Sequence, residues 1–366
     1  MPAAKVHRIT AASPDDASGI EAAIARGEID PAGIVAIVGK TEGNGCVNDF
    51  TRGFAVQSLS LMLQRHLPRE SADKVCLVMS GGTEGGMAPH WIVLERSRSF
   101  ETPPAGGALA IGRAHTAAMP PEHLGRFEQI DLVADGVRAA MEDAGIVDPA
   151  AVHFVQVKCP LLTARRIQEA QARGRTVATT DTLKSMGLSR AASELGVAVA
   201  LGEIEESGIR PADIGARWAL WSGRASCSAG IELMGHEIVV LGMSAQWSGP
   251  LAIDHAVMAD GIDIEPVRSA LARLGLEAPG QLSAAQRARV AAVLAKAEPG
   301  HDGHLRGYRH TMLDDSDISA TRHARAFVCG ALAGLIGHAE IYVSGGAEHQ
   351  GPDGGGPVAL IVRRPD

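Results

Sequence analysis

Three times along this chain a lysine ends an apolar run, an arginine follows near the start of a helical stretch, and a serine opens a turn of small residues. Lys40, Arg52 and Ser80 form the first set; Lys158, Arg190 and Ser226 form the second; Lys296, Arg322 and Ser344 form the third. A single set would describe an ordinary strand end, but three in the same order mark an internal repeat. The chain must then build one supersecondary unit three times and bring the polar ends together. The first copy reads as strand "KVHRI", helix "ASGIEAAIARG", strand "GIVAIVGK", helix "DFTRGFAVQSLSLMLQRHL" and strand "KVCLVMSGG", which is α/β. The pattern returns through "GALAIGRA" and "VHFVQVKCP", and again from "LAIDHAVMADGI". Pro, Gly and Ser accumulate at 101–107 and 244–250, which predicts repeat units over 1–104, 105–250 and 251–366.

The stretch "VGKTEGNG" around Lys40 suggests a phosphate loop, and its spacing excludes one. A P-loop needs glycine five residues before the Gly-Lys pair, where this chain has Ile34. Gly43-Asn44-Gly45 also lacks the third small residue of a dinucleotide fingerprint, because Asn48 stands there. The formal charge of −8 and the lack of a Lys/Arg cluster argue against nucleic acid as partner. Five scattered cysteines make neither a disulfide framework nor a zinc knuckle. No apolar leader or long apolar run appears, so no membrane is expected and cytoplasm is the default.

Ser with Lys can attack an amide carbonyl without histidine. The hydroxyl is a weak nucleophile until a neutral lysine removes its proton, and burial beside cations depresses a lysine far enough to be neutral. An arginine in the same pocket would hold substrate carbonyls, and the glycines after each serine would aim N–H groups at the developing oxyanion. This suits acyl transfer from an amide, imide or cyclic urea. Units one and three share Ser-Gly-Gly-Thr/Ala-Glu, whereas the middle has Ser226-Cys227-Ser228-Ala229-Gly230. Unequal sets fit one catalyst and two binders. Ser228 and Cys227 read as decoys in this set: Cys227 resembles a thiol nucleophile, but no motif pairs it with histidine.

The segments "VGKTEGNGCVNDFTR", "VMSGGTEGG", "HFVQVKCPLLT", "TTDTLKSMGLSRAAS", "SAGIEL", "RGYRHTMLDDSDISATRHARA" and "YVSGGAEHQGPDGGGP" together resemble the ring-opening amidohydrolases over nearly the whole chain. The resemblance implies three structurally similar α/β repeat domains in pseudo-threefold symmetry around a central active site, and a homotetramer. It implies a cyclic amide hydrolase that opens cyanuric acid to carboxybiuret, which decarboxylates to biuret; the alternative substrate is barbituric acid, opened to ureidomalonate. It makes Ser226 the nucleophile and Lys158 its base, with Lys40 and Lys296 in the two additional Ser-Lys sets. Substrate would be held by Arg52, Ser80, Gly81, Arg190, Cys227, Ser344, Gly345 and an arginine of "TRHAR", either Arg322 or Arg325. No organic cofactor is implied, but a structural Mg2+ or Ca2+ is, held by Glu298, Ala347, Gln350, Gly351, Pro352 and Gly355. His310, His323 and His349 make no compact zinc signature, and the acidic run at 314–317 reads as a solvated helix approach.

Overall fold

The computed structural model describes residues 1–99 and 101–365. It contains three similarly built modules, each a four-stranded sheet with helices. The first runs β1 (Pro2–Thr10), α1 (Ser18–Ala25), β2 (Ile34–Thr41), α2 (Phe50–His66), α3 (Arg69–Ala72), β3 (Cys76–Gly81) and β4 (His90–Arg98). The second runs β5 (Ala108–His115), α4 (Phe127–Asp143), β6 (Val152–Pro160), α5 (Ala164–Ala172), α6 (Thr182–Ala200), β7 (Ala225–Gly230) and β8 (Glu237–Ser244). The third runs β9 (Leu251–Met258), α7 (Glu265–Arg273), α8 (Ala284–Arg289), β10 (Val290–Ala297), the short hairpin β11 (His304–Leu305) and β12 (Tyr308–Arg309), α9 (Ala320–Ile336), β13 (Tyr342–Gly345) and β14 (Gly356–Arg363).

The strand orders are β1-β4-β2-β3, β5-β8-β6-β7 and β9-β14-β10-β13, one topology used three times. In each sheet the last two strands of that order, β2-β3, β6-β7 and β10-β13, are parallel and the remaining pairings antiparallel. The repeat extends to irregularities, because β2, β6 and β10 each shift register near their start, at Ile34/Ala36, Val152/Phe154 and Val290/Ala292. The approach to two of those strands is the same Asp-Pro-Ala turn. Asp30 accepts from Ala32 N at 3.0 Å and Asp148 from Ala150 N at 2.9 Å, with proline supplying the fixed φ.

β2 is buried along its whole length, as a central strand covered on both faces must be. One apolar cluster draws Val38 and Val78, Val155 and Cys227, Leu294 and Tyr342 from all three sheets, so the modules share a core. The helices of the first and third modules bury separate clusters on the other faces of their sheets. β4 and α5 were not distinguished in the sequence. β4 is a short apolar run that periodicity alone cannot assign, and α5 is a short, mostly polar helix that buries only Ile167 and Ala170. Among the described residues no helix is long and apolar enough to cross a membrane.

Helix starts decide where the arginines lie. Asp49 caps α2 by accepting from Thr51 N at 3.0 Å, which leaves Arg52 in the first turn. "GLSR" does not open a helix as the sequence suggested. Asp181 caps α6 by accepting from Lys184 N at 3.0 Å, so the helix starts two turns earlier and Arg190 lies inside it.

Gly39 fixes the position of Lys40. A Cβ at residue 39 would lie 2.5 Å from the Trp91 ring and 2.7 Å from Met79 Sδ, both in the packed core. Gly39→Ala should therefore lower the stability read by urea denaturation by about 1–3 kcal/mol, the usual cost of overpacking; an unchanged midpoint would contradict this packing.

Candidate active site

The three parallel strand pairs carry the same register. Lys40 lies opposite Ser80, Lys158 opposite Ser228, and Lys296 opposite Ser344. All six side chains are buried. Each lysine Nζ donates to the carbonyl just before the serine of another module. Lys40 Nζ reaches Val343 O at 2.8 Å, Lys158 Nζ reaches Met79 O at 2.7 Å, and Lys296 Nζ reaches Cys227 O at 2.6 Å. The first module thus leans on the third, the third on the second, and the second on the first, in a closed cycle.

This pattern corrects one expectation. Ser226 lies opposite Gln156, and Lys158 opposite Ser228. Residues two apart in a strand share a face but stand about 6.6 Å apart, so Ser226 is one layer deeper than the lysines. In that layer the other modules have Val78 and Tyr342. Ser226 is fully buried and its hydroxyl has no hydrogen-bond partner. It occupies a packing position beside a core that takes a full tyrosine from the neighbouring strand. Cys227 points to the opposite face, into the shared apolar cluster, and burial pushes its thiol up. It is therefore a core residue, and only its backbone serves the site: its carbonyl takes Lys296 and its N–H donates to Gln350 Oε1 at 2.6 Å.

Ser80, Ser228 and Ser344 meet with Arg52, Arg190 and Arg325 around a tight centre of about 20 Å3, with Gly81 and Gly345 in its wall. Ser228 and Ser344 hydroxyls are 2.9 Å apart. The centre opens onto a cavity of about 490 Å3 that shares Arg190, Arg325, Met186 and Gly345 and is walled by Trp218 and His301. Met186, Trp218 and His301 were not singled out in the sequence, since no local motif distinguishes them.

Arg325, not Arg322, reaches the centre. Its side chain is 4 % exposed against 32 % for Arg322. Both hold Glu84: Arg325 through Nε at 2.9 Å and Nη2 at 2.5 Å, Arg322 through Nε at 2.9 Å from the rim. The sequence held a signal for this choice. Buried residues follow Arg52 at Ala55, Leu59, Met62 and Leu63, and they follow Arg325 with identical spacing at Val328, Leu332, Leu335 and Ile336. Arg190 is paired with Glu348, Nε–Oε2 at 2.7 Å and Nη2–Oε1 at 2.6 Å. Arg52 instead donates to Ala229 O at 2.8 Å and Cys46 O at 2.6 Å.

Burial pushes all three lysines down. For Lys40 the Arg325 charge adds to that effect and the value falls well below the usual range. Lys296 falls to about 7, with Arg190 assisting. Lys158 is lowered by burial, but the adjacent Glu232 opposes the shift. Lys40 and Lys296 each lie 3.1 Å from their serine hydroxyls, whereas Lys158 is ion-paired to Glu232 at 2.7 Å.

Of the residues expected to hold a cation, Glu298 and Gln350 are bonded to the turns that line this centre. Burial and the Glu348 charge push the Glu298 carboxyl up; it accepts from Gly346 N at 2.8 Å and Thr321 Oγ1 at 3.0 Å and has no ion pair. Carboxylate and carbonyl oxygens are the ligands a Mg2+ or Ca2+ takes, but of the expected carbonyls Ala347 O already accepts from Gln350 N and Pro352 O from Gly355 N, both at 2.9 Å. Gln350 Oε1 already takes the Cys227 N–H, which leaves one lone pair for an ion. A separate cluster places ligating atoms of His153, Asp254 and His255 within 4.8 Å of one another. There Arg273 already holds Asp254 at 2.5 Å and the two Nδ1 atoms face each other at 2.9 Å. His323 pairs with Asp315 in the acidic run, and His349 donates from Nδ1 to Leu220 O at 2.6 Å while its Nε2 accepts from Gly215 N at 2.8 Å, so both are structural.

The weak proton affinity of folded Lys296 has a thermodynamic consequence. Its folded value near 7 lies below the unfolded value of about 10.4, so between them the unfolded chain holds the additional proton. Stability must rise with pH across that window and lose this contribution as pH falls toward 7. In urea melts from pH 7 to 9.5, the stability of the wild type relative to Lys296→Met should rise by up to about 1.4 kcal/mol per pH unit. Parallel profiles would contradict the depressed value.

The family model for amidohydrolase ring-opening proteins matches residues 5–363. The cyanuric acid amidohydrolase of Azorhizobium caulinodans is 67% identical over 364 residues, covering 100% of this chain and 99% of the relative. That of Enterobacter cloacae is 49% identical, covering 98% of this chain and 99% of the relative. The solved cyanuric acid hydrolase from A. caulinodans superposes with a TM-score of 0.94 at 66% identity over 100% of both chains. A second solved cyanuric acid hydrolase gives 0.94 at 48% identity, covering 99% of this chain and 100% of the other. The chain is an enzyme of the ring-opening amidohydrolase family.

Proposed function

We propose that the enzyme hydrolyses cyanuric acid, with Ser228 as nucleophile and Lys158 as its base. The observation that carries this reading is the cyclic Lys–carbonyl–Ser arrangement around one centre. Three hydroxyls and three guanidiniums, brought together from three modules in pseudo-threefold symmetry, match a planar ring with three equivalent carbonyl edges. The cyanuric acid amidohydrolases to which the chain is similar support the same substrate.

In this reading neutral Lys158 accepts the hydroxyl proton as Ser228 Oγ bonds to a ring carbonyl carbon. Collapse of the tetrahedral intermediate breaks the ring C–N bond, and Lys158 returns the proton to the departing nitrogen. Water then attacks the acyl-serine carbonyl while Lys158 takes one of its protons. Carboxybiuret leaves, the serine regains its hydrogen, and carboxybiuret loses CO2 to give biuret. Arg52, Arg190 and Arg325 hold ring oxygens by charge-assisted hydrogen bonds, and the Ser80-Gly81 and Ser344-Gly345 turns complete the clamp. Entry of the ring displaces the Ser228–Ser344 hydrogen bond and moves the arginines outward, because the centre is smaller than the ring. Glu298, Gln350 and the 347–355 carbonyls would hold a divalent cation whose contribution is to fix the loop carrying Ser344. Barbituric acid replaces one ring N–H by carbon, and a site hydrogen-bonded all round rejects such an analogue. The homotetramer belongs to the same reading; Phe50, Phe54 and Leu61, exposed along α2, supply apolar surface for it.

Purified protein supplied with cyanuric acid should release biuret, and with barbituric acid should turn over far more slowly. Ser228→Ala and Lys158→Met should lose at least about a thousandfold in kcat, whereas Ser226→Ala keeps it within about threefold, because burying one fewer hydroxyl is a small change. Arg325→Ala should raise KM by about 10–100-fold, more than Arg322→Ala. Dependence of turnover on Ser226 but not Ser228 would overturn the assignment.

A further inference from the structure

Four residues after each central serine stands a glutamate: Glu84, Glu232 and Glu348. In the first and third modules an arginine from another module takes that carboxylate, Arg325 for Glu84 and Arg190 for Glu348. Glu232 departs from the pattern. Its Oε1 lies 2.7 Å from Lys158 Nζ, and the pair is buried, with side chains 11 % and 1 % exposed. Arg52, the arginine in the corresponding place, is turned onto the Ala229 and Cys46 carbonyls.

The backbone explains the departure. Gly82 and Gly346 take φ of +100° and +78° and pack against the guanidiniums of Arg325 and Arg190. Gly230 stays in β7 and outside the left-handed region. A Cβ there would lie 2.1 Å from Glu232 Oε2. Glycine at 230 therefore lets the carboxylate fold back over the strand end to the lysine, in this module alone.

Building on the Ser228–Lys158 reading, we propose that Glu232 is the positioning residue that makes the second module the working one: it anchors the Lys158 amine and stabilises the proton that amine takes from Ser228. Lys40 and Lys296 have no such partner, since the equivalent carboxylates are neutralised by arginines. A proton placed on either would be a buried charge with no carboxylate in contact, only carbonyls, a hydroxyl and, for Lys40, the Tyr342 ring at 5.9 Å, which is costly. Lys158 receives its proton next to a full counter-charge. The other charged groups near the pair are Arg52 from α2, Arg166 from α5 and Glu237 from β8; the Cys159 thiol, next to Lys158 in β6, points to the opposite face toward Ser189 and Ser193. Burial raises Glu232, yet Lys158 and Arg52 together hold it below the ordinary glutamate value, so it remains the anion the proposal requires.

The test is the pH dependence of kcat and kcat/KM for cyanuric acid in the wild type, Glu232→Gln and Glu232→Asp, beside Ser228→Ala. Losing the carboxylate makes Lys158 a weaker base. In Glu232→Gln the ascending limb of kcat/KM should therefore move to lower pH by about one unit or more. Its plateau kcat should fall about 30-fold or more, with KM within about threefold. Glu232→Asp should return the limb toward its original position and recover part of kcat, which a purely structural role would not produce. An ascending limb that stays in place in both variants, or a loss confined to KM, overturns the proposal. Inactive Ser228→Ala with an unmoved limb in Glu232→Gln removes this inference alone, whereas active Ser228→Ala removes the reading beneath it.

Discussion

Taking three lysine ammonium groups out of water is the constraint on which this structure depends. A buried unpaired charge costs several kcal/mol even after relaxation, so each lysine must lose its proton or find partners. Lys40, Lys158 and Lys296 find them across module boundaries, in the carbonyls of Val343, Met79 and Cys227. Those carbonyls immediately precede the serines of the centre. The contacts that satisfy the lysines therefore also hold the modules together and aim the three serine turns inward. No module can meet this requirement alone, which ties formation of the site to assembly of the whole chain.

The same economy governs the anions. Glu84 and Glu348 hold Arg325 and Arg190 at the rim of the centre, so two guanidiniums reach the cavity already oriented. Glu232 instead faces Lys158, and Arg52 is oriented by carbonyls. Near-identical modules can hold one ring from three sides, while a single exchanged ion pair gives one of them a different proton affinity. On the proposal made above, that small asymmetry separates catalysis from binding. It is set by the local backbone at Gly230, so it needs no change in the lysine or the serine.

Much of this was legible in the chain because repetition amplifies weak signals. A lysine at the end of "GIVAIVGK" means little alone; recurring with an arginine and a serine, it predicted an α/β unit used three times, and the sheets have that common topology. The sequence misleads where the middle copy is out of step with the other two. Ser226 follows an apolar position as Ser80 does, but the glutamate four residues beyond each serine aligns Ser228 with Ser80 and Ser344. "TRHAR" contains two arginines, and only the spacing of the buried residues after them picks Arg325. Cys227 is adjacent to the site in sequence and on the opposite face of its strand in space, a distinction that needs the pleat. Met186, Trp218 and His301 wall the outer cavity from distant loops, and no local pattern can announce such a convergence.

In the proposed mechanism one of three similar serines forms the covalent bond while the other two only hold the ring. Rapid acid quenching during turnover of cyanuric acid, followed by proteolysis and peptide mass mapping, tests it most directly. A ring-opened acyl-enzyme carries the mass of one whole substrate molecule on its serine. That increment should sit on Ser228 alone; an adduct on Ser80, Ser344 or Ser226 would overturn the assignment.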